Sequence, residues 1–130
     1  MNKAILLGII LLLSMAMTYP SSNSPEMKPK VLHHVVMFKF KEGTSTEDID
    51  QIIKAFADLK NKIKTIQSFE WGLNNSPENL NQGFTHIFQL TFKSEKDRDD
   101  YLPHPDHKAF GKVLGPHLEK VMVMDYWANK

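Results

Sequence analysis

The stretch Val31-Leu-His-His-Val-Val-Met-Phe-Lys-Phe40 decides the fold of this 130-residue chain. Its residues are mostly β-branched or aromatic, which favours an extended strand. Its two alternating faces are both largely apolar, a pattern typical of strands that are covered on both sides. We therefore predict a central strand over residues 31–40.

The residues after this strand predict further helices and strands. Capping residues at 42–48 precede apolar residues at helical spacing from Ile49 to Ile63, which predicts a helix over residues 47–64. Alternation predicts strands over 66–73 and 85–92, separated by a polar loop. Ser94 caps a short helix that ends near Tyr101, and prolines interrupt the chain there. We expect a second helical piece over 106–119 and a last strand over 121–127.

This order of elements indicates the fold class. Strand, helix, strand, strand, helix pair and strand together predict an α+β, ferredoxin-like split βαβ fold with a four-stranded antiparallel sheet. The helices of this fold cover one face of the sheet and leave the other open. We expect Val31, Val35, Met37 and Ile87 on the open face, which is apolar enough to pair with a second copy. We therefore predict a homodimer through that face.

The first thirty residues differ from the rest. A positive start at Lys3, an apolar run over 4–17 and a Ser-, Pro- and Lys-containing stretch are typical of a secretory signal. The apolar run has about 14 residues, fewer than the roughly 20 that span a bilayer. We expect a signal peptide over 1–16, a disordered linker over 17–30 and one folded domain over 31–130. The protein is then exported, periplasmic or extracellular; an uncleaved anchor and a plain disordered tail are the alternatives.

Composition removes several classes of function. The chain has 16 Lys+Arg and 15 Asp+Glu, and removal of residues 1–16 with Lys3 leaves 15 of each, so we expect no nucleic-acid partner. It has no cysteine, which excludes thiol nucleophiles, disulfides and zinc-thiolate sites. P-loop, GxGxxG and HExxH motifs are missing from the sequence. We expect no membrane contact beyond the signal segment.

The six histidines are therefore the main candidates for chemistry. The predicted elements bring several polar side chains towards one partly apolar cavity between sheet and helices: His34, His86, Tyr101, His104, His107 and Asp125. The apolar lining that we expect consists of Val36, Phe38, Phe56, Phe88, Phe110 and Val123. A histidine in such a place exchanges protons near neutral pH, and a tyrosine donates a hydrogen bond to a developing oxyanion.

Each polar residue also has a structural interpretation. His34 and His86 are equally compatible with buried histidines that bond to the backbone or to Asp125. His104, between two prolines, suits a cap of the following turn, and Tyr101 suits a plain core position. Three imidazoles and an aspartate also suit zinc or non-haem iron, but the 101–107 segment supplies only an i, i+3 pair of histidines. We predict neither a metal nor another cofactor.

Several segments together resemble the stress-responsive dimeric α/β-barrel (Dabb) family. They are residues 32–41, 71–72, 83–86, 101–107, 110–111 and 125–126. The most specific parts are Tyr101 followed by His-Pro-Asp-His, and the Gly-Phe-Thr-His run that ends at His86. The resemblance covers residues 31–128 and implies a ferredoxin-like monomer that pairs through its sheet into a barrel.

Within that family the chain is similar to plant enzymes that close linear polyketides by aldol condensation. By position, this similarity implies that His107 is the general base and that Tyr101 binds the oxyanion. It also implies that Asp125 or a backbone group orients the His107 imidazole, and that His34 and His86 are further pocket residues.

Three functions remain open at this point. The first is binding of a small apolar or aromatic ligand in the intramonomer pocket of an exported, stress-related homodimer. The second is a cyclase- or lyase-type enzyme that uses His107 and Tyr101. The third is a non-catalytic structural stress module. The sequence leaves open whether the protein is an enzyme.

Overall fold

The computed structural model describes residues 30–128. The elements, in chain order, are β1 (Leu32–Phe40), α1 (Thr46–Lys62), β2 (Ser68–Leu73), β3 (His86–Phe92), α2 (Glu95–Tyr101), α3 (Pro105–Leu114), a 3₁₀ turn (Gly115–His117) and β4 (Leu118–Trp127). The predicted signal peptide over 1–16 lies outside the described residues, as does all of the predicted linker over 17–30 except Lys30. Within the described part, the helices are too short or too polar to cross a membrane.

The four strands form one antiparallel sheet in the order β2-β3-β1-β4. The predicted ferredoxin-like class is confirmed, with β1 at the centre between β3 and β4. Facing residues of antiparallel strands share a face of the sheet. His34 of β1 faces Leu90 of β3 and Asp125 of β4, so these three side chains lie on the same side.

Helix α1 begins and packs as its sequence predicts. The Ser45 hydroxyl accepts a hydrogen bond from the Asp48 backbone N–H, which satisfies one of the first amides of the helix. Its apolar stripe is buried towards the sheet and includes Ile52, Phe56 and Leu59. Each such side chain contributes roughly 1.5–3 kcal/mol through burial, so packing rather than propensity holds the helix in place.

Aromatic rings fill the space between sheet and helices. The Phe38 ring lies 4.8 Å from that of Phe88 and 5.8 Å from that of Phe56, between ring centroids. Phe110 of α3 stacks on Phe56 at 4.5 Å. These contacts tie α1 and α3 to the same part of β1 and β3.

The last helix is shorter than predicted, and the last strand is longer. The prediction of a helical piece over 106–119 is wrong, because α3 ends at Leu114 and β4 begins at Leu118. Gly115 weakens a helix, and the Pro116 ring and missing N–H stop it, so the chain makes a 3₁₀ turn there. As a result β4 pairs with β1 along its whole length, from Leu118 opposite Phe40 to Trp127 opposite Leu32.

Residues 30–128 leave the second face of the sheet uncovered. None of the helices described over residues 30–128 packs on it, and its residues include Val35, Met37, Ile87 and Met124. Ile87 is 42% exposed and Met124 is 53% exposed. Val31 lies one residue before β1. The residues that the sequence assigns to the open face therefore lie on it or beside it.

Candidate functional site

A cavity of ≈ 170 Å³ lies between the central strand β1, the edge strand β4 and the two C-terminal helices. Its lining is mostly apolar and consists of His34, Val36, Phe38, Phe56, Tyr101, Leu102, His107, Phe110, Gly111, Leu114, Val121 and Val123. Strands β1 and β4 supply its floor, and the end of α2 together with the inner face of α3 supplies its opposite wall. Eight of these residues are among those that the sequence assigns to the site.

His107 is held by the local geometry at the start of α3. The His104 side chain accepts a hydrogen bond from the Asp106 backbone N–H and so caps α3, as the structural interpretation of His104 predicts. This start places His107 in the first turn, where its Nδ1 lies 2.9 Å from the Leu102 carbonyl oxygen. A carbonyl only accepts, so Nδ1 carries the proton and donates it. In the neutral ring Nε2 is therefore an acceptor.

Tyr101 brings a buried phenol to the same cavity. The residue is 0% exposed, and its ring lies 4.2 Å from that of His107 and 5.7 Å from that of His34. Among the described residues its hydroxyl has no hydrogen-bond partner. Burial raises the pKa of Tyr101 far above its ordinary value, so the phenol stays protonated and can donate to a ligand.

His34 forms the third polar part of the cavity wall. Its Nδ1 lies 2.6 Å from Asp125 Oδ1, and Asp125 Oδ2 lies 2.5 Å from Arg98 Nη1. Burial is the largest cause of the lowered pKa of His34, and together with the charges of His107 and Arg98 it outweighs the opposite effect of the Asp125 carboxylate. The ring is therefore neutral near pH 7 and donates its Nδ1–H to Asp125. Asp125 does not line the cavity; it lies behind His34.

His34 and His107 thus have different hydrogen-bond partners at Nδ1. The sequence analysis offers Asp125 or a backbone group as the partner of His107. In the structure His107 has the Leu102 carbonyl, and Asp125 supports His34 instead. His34 is both a buried histidine bonded to Asp125 and a residue of the cavity wall.

The prediction that His86 lines the same cavity is wrong. It lies on the helix-covered face, but at the start of β3 opposite Phe38, four residues along the strand from the Leu90 that faces His34. Its ring lies 5.1 Å from that of Phe40 and 6.2 Å from that of Trp71, and it borders a separate cavity of ≈ 110 Å³. Burial lowers the pKa of His86.

Phe88 and His104 also lie outside the cavity lining. Phe88 is 0% exposed and packs among core rings, so its contribution to the cavity is only as support for Phe38 and Phe56. His104 caps α3 on the far side and borders a surface cleft with Lys62. The sequence correctly puts Phe88 on the covered face of its strand and His104 at the junction of the two helices. It does not give the distance of either residue from the cavity, and both lie beyond the lining.

Sequence reasoning missed some of the lining. Gly111 and Leu114 follow His107 and Phe110 at helical spacing, so the i, i+3 and i+4 pattern was the signal that would have found them. Arg98 gave no such signal, because it lies among acidic residues of a short polar helix and meets Asp125 only through tertiary packing.

Metal-ligating side chains are scattered over the described part of the chain. Over residues 30–128, three or more His, Asp or Glu side chains are nowhere gathered closely enough to hold a metal ion. The absence of a cofactor stays a prediction.

Taken together, the split βαβ topology and the one-sided helical layer define an α+β protein of the ferredoxin-like class. The chain belongs to the stress responsive A/B barrel domain (Dabb) family, whose sequence profile matches residues 32–128. The family resemblance predicted from the sequence is confirmed.

Similar proteins include both named enzymes and proteins named only by this domain. The chain is 44% identical over 93 residues to the stress-response A/B barrel domain-containing protein HS1 of Arabidopsis thaliana, covering 72% of this chain and 85% of that one. It is 32% identical over 97 residues to olivetolic acid cyclase of Cannabis sativa, covering 75% and 96%.

Solved structures agree with these sequence relatives. A hydroxynitrile lyase from Passiflora edulis superposes with a TM-score of 0.73 at 31% identity, covering 79% of this chain and 97% of that one. A protein from Bacteroides fragilis, described as dimeric and ferredoxin-like, superposes with a TM-score of 0.61 at 27% identity, covering 75% and 96%. The structural neighbours of this chain thus include dimeric proteins.

Proposed function

We propose that this protein binds a small apolar or aromatic ligand in the cavity between its sheet and helices. The observation that carries the proposal is the Tyr101 hydroxyl, which the described residues leave without a partner beside a mostly apolar cavity. A buried hydroxyl of this kind is costly unless it is paired. A ligand oxygen that accepts its hydrogen bond therefore adds affinity at one defined point.

The volume of the cavity matches a ligand of one aromatic ring, and the half-exposed Val121 and Val123 leave it open on its β4 side. An apolar cavity of about 150 Å³ is known to hold benzene, and this one measures ≈ 170 Å³. One six-membered ring with a short polar substituent fits that space. A carbonyl on the substituent accepts from Tyr101, whereas a hydroxyl donates to His107 Nε2.

The test is a binding series with three probes: acetophenone, phenol and the two-ring 2-naphthol. We expect the one-ring probes to raise the melting temperature by mass action and to shift the NMR signals of cavity residues. We expect 2-naphthol to bind more weakly. Leu114→Trp fills the cavity and should abolish binding, and equal stabilisation of this variant by acetophenone would place the ligand elsewhere.

His107→Ala and His117→Ala form a matched pair for the same series. His117 lies in the 3₁₀ turn outside the cavity lining, so its replacement should leave phenol affinity unchanged. His107→Ala removes one acceptor and should weaken phenol about fivefold, the equivalent of one neutral hydrogen bond. Equal affinity in the two variants would mean that His107 does not contact the ligand.

Acid–base catalysis is a second candidate, favoured by the hydrogen bond of His107 Nδ1 to Leu102, which leaves Nε2 as the acceptor nitrogen of the neutral ring beside the Tyr101 phenol. In this reaction Nε2 removes a proton from the carbon α to a ligand carbonyl. The C–H electrons form the enolate double bond, the carbonyl electrons move to oxygen, and Tyr101 donates a hydrogen bond to that oxygen. The enolate carbon then attacks a second carbonyl carbon, whose π electrons move to its oxygen, and this oxygen takes the proton from His107 Nε2; without a second carbonyl the enolate carbon takes the proton back. Relatives named as a cyclase and as a lyase support this candidate.

Deuterium exchange tests this candidate without knowledge of the natural substrate. Acetophenone in D₂O is followed by NMR, and its methyl protons should exchange faster with the protein present than in buffer alone. Loss of the base should reduce the protein-dependent rate by about 10²-fold or more in His107→Ala. Exchange at the buffer rate in the wild type, with acetophenone bound, supports binding without catalysis. Cleavage of mandelonitrile, an aromatic hydroxynitrile, is a parallel assay.

We further propose that the protein is an exported, stress-related homodimer. The apolar open face and the dimeric neighbours support a homodimer through Val35, Met37 and Ile87. The sequence of residues 1–30 supports export, and mass spectrometry of the mature protein should find Met17 as its first residue. A mature chain that retains residues 1–16 supports the anchored alternative. A dimer that binds none of the probes supports the purely structural stress module.

A further inference from the structure

Arg98 is joined to the cavity wall through two hydrogen bonds. Its Nη1 donates to Asp125 Oδ2 at 2.5 Å, and the other carboxylate oxygen accepts from His34 Nδ1 at 2.6 Å. The side chains of Arg98 and Asp125 are each 22% exposed, whereas that of His34 is 5% exposed. The three residues therefore form a line from the protein surface to the cavity.

We infer that Arg98 is a positioning residue of the ligand cavity. It holds Asp125 so that one carboxylate oxygen stays on His34 Nδ1, and its charge adds to burial in keeping His34 a neutral hydrogen-bond acceptor, through Nε2, for the ligand. The cavity then offers two imidazole acceptors, His34 and His107, to a ligand that carries hydroxyl donors. This inference rests on the proposed ligand-binding function and deepens it by naming the donor-bearing ligand class.

The geometry explains why the carboxylate needs a second partner. A lone carboxylate beside a buried histidine favours the imidazolium form, which has no acceptor nitrogen. Arg98 takes one oxygen of Asp125 and partly neutralises its charge, so the histidine keeps only the hydrogen bond. Arg98 Nε is itself held by Asp99 at 2.8 Å, which fixes the plane of the guanidinium.

The surroundings of His34 affect its pKa in both directions, and the net effect is a lowered pKa. The titratable or charged groups that face it are Asp125 from β4, Arg98 and Tyr101 from α2, and His107 from α3. Leu90 and Phe92 of β3 are apolar. Burial lowers the pKa of His34 most, Asp125 raises it, and His107 and Arg98 lower it further.

Imidazole ¹⁵N NMR on the ligand-free protein tests the inference directly. In the wild type we expect His34 protonated on Nδ1 and unprotonated on Nε2 at neutral pH. Arg98→Met removes a positive charge and should move the His34 titration midpoint upward. Asp125→Asn removes a negative charge and should move it downward. Arg98→Lys keeps the charge and should stay close to the wild type.

Lys96→Met is the matched control on the same helix. It breaks the exposed pair between Lys96 and Asp100 without touching Asp125, so the His34 midpoint should not change. An unchanged midpoint in folded Arg98→Met, or a shift of the same sign in Arg98→Met and Asp125→Asn, overturns the inference. If Arg98→Met fails to fold by circular dichroism, Asp125→Asn and Arg98→Lys decide it by the same midpoints.

Ligand binding provides a second, independent measurement. Resorcinol carries two hydroxyl donors, one for each imidazole. Its affinity should fall as the pH drops through the His34 titration, and in Arg98→Met the fall should begin at a higher pH. Anisole has no hydroxyl donor and should show no such dependence. If resorcinol shows none either while the NMR midpoints shift as expected, the assignment of His34 as a ligand acceptor is overturned. If neither probe binds the wild type, the proposed function fails for these ligands, and the NMR midpoints still decide the role of Arg98.

Discussion

Replacing Tyr101 with phenylalanine should separate the stability of the cavity from its function. The side chain is 0% exposed, and residues 30–128 offer its hydroxyl no hydrogen-bond partner. A buried unpaired hydroxyl costs about 1–3 kcal/mol. The substitution removes that one oxygen and keeps the ring contacts with His107 and His34. We expect the free energy of unfolding to rise by about 1 kcal/mol, at the low end because the hydroxyl lies beside a cavity.

The expected changes in stability and function have opposite signs. For a domain of this size, 1 kcal/mol corresponds to a rise in melting temperature of about 4–8 °C. Urea unfolding followed by tryptophan fluorescence gives the free energy, and calorimetry gives the melting temperature. Acetophenone affinity should fall about fivefold through loss of one hydrogen bond. If the protein exchanges the acetophenone methyl protons, that rate should fall by about 10²-fold or more through loss of the oxyanion donor.

Tyr126→Phe is the control for this experiment. Tyr126 is 46% exposed on the open face of the sheet, so removal of its hydroxyl should change stability by less than about 0.5 kcal/mol. A Tyr101→Phe protein that is less stable than wild type by 1 kcal/mol or more would show that the hydroxyl makes a stabilising bond in the free protein. Unchanged acetophenone affinity would refute its role in binding.

Three further predictions concern the open face, pH and the cavity wall. Met37→Asp places a charge on the open face and should give a folded monomer by light scattering and circular dichroism; an unchanged dimer contradicts pairing through this face. Burial lowers the pKa of His34 and of His86 below 6.5, so on acidification the unfolded chain takes up protons before the folded chain does. The free energy of unfolding should therefore be highest above pH 6.5 and should fall as the pH drops through the lowered pKa values of the folded protein. Urea midpoints across this range measure the fall, which should be shallower in His34→Gln; equal slopes would show that His34 does not contribute. A Cβ on Gly111 meets no described atom within 4 Å, so Gly111→Ala should stabilise α3 by about 0.5–1 kcal/mol. The added methyl group narrows the cavity and should weaken the binding of acetophenone. A loss of stability in calorimetry would contradict the open space at that position.

The fold was predictable because its signals are local. The apolar pattern of β1, the Ser45 cap of α1 and the Ser94 cap of α2 each follow from a few neighbouring residues. The end of α3 was misplaced because Gly115 and Pro116 compete with a helical pattern that continues beyond them. A break of this kind depends on whether the following residues find a strand to pair with, and here β1 provides one.

The site was predictable only in part. Strand faces correctly placed His34 with Val36 and Phe38, and helical spacing placed His107 with Phe110. His86 was misplaced, since a strand face extends further than one cavity. The sequence also left undetermined which group binds His107, since both the Asp125 carboxylate and a backbone carbonyl are suitable acceptors. The structure gives His107 the Leu102 carbonyl and gives His34 the Asp125 carboxylate.

The sequence by itself determined the order of elements, the apolar faces and the set of side chains able to move a proton, because these depend on neighbouring residues and on residue chemistry. Only the tertiary structure decided which of these side chains meet. The register of β4 on β1 sets Asp125 beside His34, and the junction of α2 and α3 sets the Leu102 carbonyl beside His107. Arg98 binds Asp125, which lies 27 residues further along the sequence. Such contacts follow from packing of the whole chain, since each hydrogen bond is a few ångströms long and no local pattern fixes a distance of that size between separate elements.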